Sequence, residues 1–290
     1  MRIGIIGGGA IGLLLASLLS RSGQHPILFV RSKEQKNQIN KNGILYLPDQ
    51  TTFKVQAEQI NDLNQMDIYI VCVKQHDIRS INYKLKDFNG AVIYLQNGMG
   101  HIDLLSELKT EHTIILGTCE HGAKRKNQRT VIHTGRGKIN LALYSGKQTL
   151  LMDYKKTLSN EAFPIEVAPD WEAMLVNKLL INMVINPITA LFQVKNGDLL
   201  TNPHLHTLAK LVCKEACTAL KVNEQKHWER IVHIIEQTKE NDSSMKEDIS
   251  YNRKSEIEAI LGYVLNKISL ESSVIHFLYL SIKALEEQKE

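Results

Sequence analysis

Two hydrophobic periodicities divide the chain. Up to about residue 168, short apolar runs alternate with longer amphipathic stretches; beyond it, apolar positions recur at helical spacing. The short runs at 3–6, 26–30, 67–73, 91–95 and 113–117 are continuous rather than alternating, the pattern of parallel strands covered on both faces. Residues 129–134 and 138–144 are expected as a hairpin around Gly135 and Gly137. In the second half the spacing predicts about six helices, among them 172–192, 203–221, 225–239, 254–269 and 272–286. The expected architecture is an α/β Rossmann-type N-terminal domain with a mostly parallel, doubly wound sheet (residues 1–168), followed by an all-α C-terminal domain (169–290).

The first apolar run leads into Gly7-x-Gly9-x-x-Gly12 and then directly into a helical pattern. This is the strand–turn–helix context of a dinucleotide fingerprint: Gly7 permits the tight turn, Gly9 lets backbone approach the pyrophosphate, and Gly12 allows close helix–sheet packing. A helix N-terminus there offers unpaired N–H groups and the positive end of the helix dipole. A secretory signal is the rival reading of residues 3–19, but glycines this dense suit a helical segment poorly and a second strand follows at once. The second run ends at Val30-Arg31, with the first carboxylate at Glu34. An arginine at this point suits the 2′-phosphate of NADP(H), where an NAD site places an acid. Lys74, Asn97 and Gly122 follow later strands, at the sheet edge where ligands bind in open α/β folds.

Within the apolar stretch 172–192, Lys178, Asn182 and Asn186 recur every four residues. That spacing advances about 40° per step around a helix, so the three form a slowly drifting polar stripe. Buried amides and an ammonium need partners, which leaves either a satisfied internal network or a polar ligand. Asn196-Gly197 is expected to cap this helix, Ser243 and Ser244 are candidate N-caps, and Glu256 lies near the start of another helix.

Composition narrows the classes. The hydrophobic content of 43% supports two ordinary cores, and a formal net charge of +4 implies no polyanionic partner. No apolar span is expected to cross a membrane. Cys72, Cys119, Cys213 and Cys217 lack zinc-type spacing, and the expectation is a reduced, cytoplasmic protein without a metal. The cluster Lys124-Arg125-Lys126 lacks interleaved aromatics and is expected to be a solvated turn rather than a nucleic-acid patch.

The segments GIIGGGAIG at 4–12, Arg31, VK at 73–74, QNGMG at 96–100, KLLINMVINPITAL at 178–191, KNG at 195–197, ENDSSMKEDI at 240–249 and SEIEAILGY at 255–263 together resemble the 2-dehydropantoate 2-reductase (ketopantoate reductase) family, in order and over essentially the whole chain. The resemblance implies NADPH-dependent reduction of 2-dehydropantoate to (R)-pantoate, on the route to pantothenate and coenzyme A. It implies Lys178 as proton donor and Asn97, Asn182, Asn186, Asn196, Asn241 and Ser244 as substrate contacts. Gly7–Gly12, Arg31, Lys74, Asn97, Gly122 and Glu256 fall at cofactor-side positions. Departures occur at Val176, where the family often has tryptophan, and at Asn252-Arg-Lys-Ser, where a glycine-containing segment is common. The alternatives are a reductase of another branched 2-oxo acid and a non-catalytic NADPH sensor. The expected partner is a small 2-oxo acid, with no nucleic acid and no membrane, and the expected assembly a monomer or homodimer.

Overall fold

The computed structural model describes residues 1–106, 113–266 and 273–288. Its strands are β1 (Ile3–Ile6), β2 (Ile27–Val30), β3 (Ile44–Leu47), β4 (Thr51–Phe53), β5 (Gln56–Gln59), β6 (Ile68–Val71), β7 (Ala91–Tyr94), β8 (Thr113–Cys119), β9 (Gly122–Arg125), β10 (Thr130–Gly135), β11 (Ile139–Ser145) and β12 (Ile165–Val167). The larger sheet runs β12-β11-β8-β7-β6-β1-β2-β5. From β5 to β8 every pairing is parallel; β11 then lies antiparallel on β8, with β12 parallel to it. Winding outward in both directions from β1 makes the β1/β6 boundary a topological switch point, where open α/β sheets bind nucleotides.

The continuous apolar runs have the expected cause. β1, β6 and β7 are buried at all four positions, and β8 at all seven. A smaller sheet, β4-β3-β10-β9, is the feature that the hydrophobic pattern did not reveal. The helix Ala10–Arg21 packs against β1 and β2 of the large sheet and against β3, β4, β9 and β10 of the small one. Leu13, Leu14, Leu15, Ala16, Leu18 and Leu19 are consequently all buried, which explains a helix apolar nearly all round.

The expected hairpin is corrected. β10 pairs antiparallel with β9 and parallel with β3, whereas β11 pairs with β8 and β12. Residues 136–138 therefore carry the chain from one sheet to the other instead of turning it back on itself. One described helix, Trp171–Phe192, is by length and composition apolar enough to span a bilayer, with a mean hydropathy of 1.5. Two thirds of that window is buried inside the fold, so it is a core helix of a folded unit.

Two compact units result: Met1–Gln96 with Asp103–Met174, and Asn97–Ile102 with Leu175–Glu290. The division departs from residue 168 at two points. It falls inside the long helix, and it assigns the short segment after β7 to the helical unit. Within that unit the helices Pro203–Leu220, Glu224–Gln237 and Val274–Glu287 begin at Asn202, Asn223 and Ser273, each accepting a first-turn N–H through its side chain. The helix expected over 254–269 opens instead as a π-helical turn, Glu258–Gly262, continued by Tyr263–Leu265. Residues 267–269 of the expected helix 254–269 and residue 272 of the expected helix 272–286 lie outside the described residues. Cys213 and Cys217 are free thiols with sulfurs 3.9 Å apart, one turn apart on their helix.

Leu14 is fully buried in the core of the first unit. Leu14→Ala is expected to remove about 2–5 kcal/mol from the stability of that unit, read as a lower urea midpoint. Burial also pushes the imidazoles of His101 and His121 down to about 4. Between that value and the ordinary ~6.5 the unfolded chain binds more protons than the folded one, so stability falls as pH drops through this window. The urea midpoint should decline from pH 7 to pH 5; equal midpoints would show that these rings are not held neutral.

Candidate active site

In the first unit, the loop from β1 to its helix meets the requirements of a phosphate cradle. Gly7 has φ +114°, and a Cβ on Gly12 would lie 1.8 Å from the Gly7 carbonyl oxygen. Only glycine permits so close an approach of helix and strand. A Cβ on Gly9, by contrast, would meet nothing within 4 Å. The helix begins at that open point with no side-chain cap and no acid in its first turn. Its N–H groups and dipole are thus left for an anion, and the loop fits a dinucleotide pyrophosphate.

The sheet edge around the loop is fixed by side chains. Gln96 donates through Nε2 to the carbonyls of Val71 (2.9 Å) and Val73 (3.0 Å), tying the carboxyl end of β7 to that of β6. Lys74 follows, half-buried, at the start of the turn Gln75–Asp77. Arg31 sits just beyond β2 with its side chain 85% exposed, its guanidinium 3.8 Å from Asp77. Gly122 opens β9, where a Cβ would lie 2.7 Å from Thr134 Oγ1.

In the helical unit, Lys178 and Asn182 are half-buried and Asn186 is buried, while Leu179, Leu180, Met183, Val184 and Ile185 pack into the core. The helix ends at Phe192, and Gln193, with φ 55°, donates through Nε2 to the Ala190 carbonyl. Asn196-Gly197 is not its cap, contrary to expectation. The Asn196 N–H instead donates to the Asn241 carbonyl (3.1 Å), and the Gly197 N–H to the Lys239 carbonyl (3.0 Å). Asn196 Nδ2 donates to Thr238 Oγ1 (3.0 Å), while its Oδ1 is buried without a partner. Asn196 and Asn241 are thereby brought together. Ser243 is the N-cap of Ser244–Ser250; it accepts from the Lys246 N–H (3.1 Å) and from Thr189 Oγ1 (2.7 Å), leaving Ser244 exposed in the first turn.

Asn97 and Glu256 meet, with Asn97 Nδ2 donating to Glu256 Oε2 at 2.7 Å. The loop behind Asn97 is seated on the π-helical turn. The Met99 N–H donates to the Ala259 carbonyl (3.2 Å), and Gly98, at φ +76°, lies where a Cβ would be 2.1 Å from that same oxygen. π-helical turns concentrate at functional sites, where an extra residue re-aims neighbouring side chains. Nothing in the hydrophobic pattern announces one. Two positioning residues were also missed, Thr189 and Gln35. Thr189 falls three residues beyond Asn186, and a hydroxyl that close to the end of the stripe was a usable signal.

Gly98→Ala combines a left-handed backbone with a clash against a carbonyl. It should cost the protein about 2 kcal/mol or more, read as a lowered melting midpoint. A wild-type midpoint would mean that the loop does not sit on Ala259.

Comparisons with known proteins converge on one family. The model described as "Ketopantoate reductase PanE/ApbA" matches residues 3–146, and its C-terminal counterpart matches 170–286. A curated 2-dehydropantoate 2-reductase of Bacillus subtilis (strain 168) is 42% identical over 293 residues, covering 99% of this chain and 98% of the relative. The curated enzyme of that name from Listeria monocytogenes is 37% identical, over 100% and 98% of the two chains. Among solved structures, a probable 2-dehydropantoate 2-reductase from Bacillus subtilis superposes with a TM-score of 0.87 at 40% identity, covering 98% of this chain and 100% of the other. A D-mandelate dehydrogenase with NADH and anilino(oxo)acetate reaches 0.91 at 20% identity, over 100% and 99%, a likeness of fold alone. The two-unit architecture, the phosphate cradle and these full-length matches agree, and the chain belongs to the ketopantoate reductase family of oxidoreductases.

Proposed function

We propose that the protein reduces 2-dehydropantoate to (R)-pantoate with NADPH. Bound in the first unit, NADPH supplies the hydride. Gly7, Gly8, Gly9, Ala10, Ile11 and Gly12 would hold its pyrophosphate, Arg31 its 2′-phosphate, and Lys74, Gly122 and Asn97 would border it. The substrate's C2 carbonyl gains the hydride at carbon and a proton at oxygen. Lys178 is the proton donor, and its ammonium also stabilises the alkoxide as it forms.

The remaining polar groups orient the substrate. Asn182 and Asn186 continue the stripe and bond hydroxyl or carbonyl oxygens without adding charge. The buried, unpartnered Oδ1 of Asn196 is an acceptor suited to a substrate hydroxyl. Asn241 lies on the loop that Ser243 anchors to Thr189, and Ser244 opens the helix that follows; Asn241 and Ser244 would contact the substrate, Ser244 at its carboxylate. The observation that carries the reading is the Asn97–Glu256 hydrogen bond. It fixes one amide hydrogen of Asn97 and leaves the carbonyl oxygen and the second hydrogen for ligands, which makes Glu256 a positioning residue for Asn97 as well as a cofactor-side group. The assembly is taken as a monomer or homodimer acting on a small 2-oxo acid. The four free thiols suit a cytoplasmic setting.

The test follows NADPH absorbance with 2-dehydropantoate, pyruvate and 2-oxoisovalerate, each repeated with NADH. Preference for 2-dehydropantoate with NADPH is expected. Lys178→Ala should lose about 10²–10⁴-fold in kcat while keeping its NADPH affinity. Unchanged turnover in that variant removes Lys178 from the mechanism. Tight NADPH binding without oxidation by any of the three acids would overturn the assignment.

A further inference from the structure

The expected solvated turn at Lys124-Arg125-Lys126 contains a residue that the geometry ties to the glycine loop. Arg125 is the last residue of β9, and its Nη1 donates to the Gly8 carbonyl oxygen at 3.3 Å. That oxygen also accepts from Gln35 Nε2 at 2.8 Å. Gln35 is only 4% exposed, and the same nitrogen donates its second hydrogen to the Gln128 carbonyl at 2.8 Å. A Cβ on Gly8 would lie 2.6 Å from the Gln35 amide, so loop and side chain are in direct contact. One buried glutamine thus clamps the β9–β10 turn onto the phosphate loop.

Gln35 also fixes where this happens. Its backbone N–H donates to Ser32 Oγ (3.2 Å), the N-cap of the helix Lys33–Asn42 that starts directly after Arg31. Arg31 by sequence and Arg125 by hydrogen bond therefore both border the Gly8–Gln35 contact, at the end of β2 where a dinucleotide fold receives the adenosine ribose. A phosphate monoester carries about −1.5 to −2 charges at neutral pH. Arg31 supplies +1, and Asp77 at 3.8 Å offsets part of that. One exposed arginine facing a carboxylate under-compensates such an anion. A guanidinium has five N–H donors, and the Gly8 contact uses one.

We propose that Arg125 is a second 2′-phosphate ligand and a determinant of NADPH over NADH, an inference that rests on the NADPH reading above. Arg125 would make a charge-assisted contact from β9 while Arg31 makes one from the end of β2. Gln35 holds the two arginines in register by fastening both of their segments to Gly8.

The test measures binding by calorimetry, without turnover, using adenosine 2′,5′-bisphosphate and 5′-AMP as probes on the full chain. Arg125→Met should weaken the bisphosphate about tenfold to a hundredfold and leave 5′-AMP unchanged. Arg125→Lys, which keeps the charge and loses the fork, should fall in between. In kinetics the KM for NADPH should rise with kcat retained, and the KM for NADH should stay constant. Equal weakening of both probes would show that Arg125 only braces Gly8 and would overturn the proposal, as would unchanged affinities. A wild-type protein that prefers the bisphosphate, with Arg125→Met preferring it by the same factor, refutes the Arg125 role alone. A wild-type protein that binds both probes equally refutes the NADPH reading and this proposal together.

Discussion

The first unit depends on how closely the helix Ala10–Arg21 can approach β1. A side chain at Gly12 would overlap the Gly7 carbonyl, so the absence of a Cβ there sets the distance between helix and strand. Two consequences follow from this one approach. The helix comes near enough to be buried between two sheets, with its leucines in contact on both sides. Its N-terminus also stops at an open point, with uncapped N–H groups directed where an anion can bind. Packing and ligand binding are therefore two results of the same steric requirement.

The helical unit is organised around polar groups held by other polar groups. Asn97 is fixed by Glu256, Asn196 by Thr238 and the Asn241 carbonyl, and the Asn241–Ser243 loop by the Thr189–Ser243 bond. A side-chain amide left free to rotate would present donor and acceptor with equal ease. Fixing one atom of the amide decides which atom remains for a ligand. The π-helical turn at Glu258–Gly262 provides the platform, because its Ala259 carbonyl receives the Met99 N–H and sets the loop that carries Asn97. Glu258 is in turn paired with Lys283 (3.2 Å) and bonded by the Tyr279 hydroxyl (2.9 Å), which couples the turn to the last helix.

Continuous apolar runs were enough to locate β1, β2, β6, β7 and β8, because strands buried on both faces need no alternation to be recognised. The glycine spacing, Arg31 and the Lys178–Asn182–Asn186 stripe were legible for a similar reason: each is a local pattern whose meaning depends on a few neighbouring positions. β3, β4, β5 and β9 were not, being short and partly polar; β4 and β9 pair with strands adjacent in sequence, whereas β3 meets β10 and β5 meets β2 only across long stretches of chain. The mistaken hairpin has the same origin. Two strands flanking a glycine-containing turn satisfy the local rule, and only the competition between two sheets decides that β10 and β11 part company.

The sequence by itself determined the order of the buried parallel strands, the glycine loop, the helical second half and the polar stripe on its first helix, because these follow from periodicity and from the steric demands of single residues. Tertiary structure alone decided that Asn97 belongs with the helical unit, that Glu256 holds it, that Ser243 rather than Ser244 caps its helix, and that Gln35 and Arg125 converge on Gly8. Each of these depends on a hydrogen bond, and hydrogen bonds need donor and acceptor within about 3 Å and in line. Residues 159 positions apart in the chain, as Asn97 and Glu256 are, reach that geometry only when the intervening elements have packed.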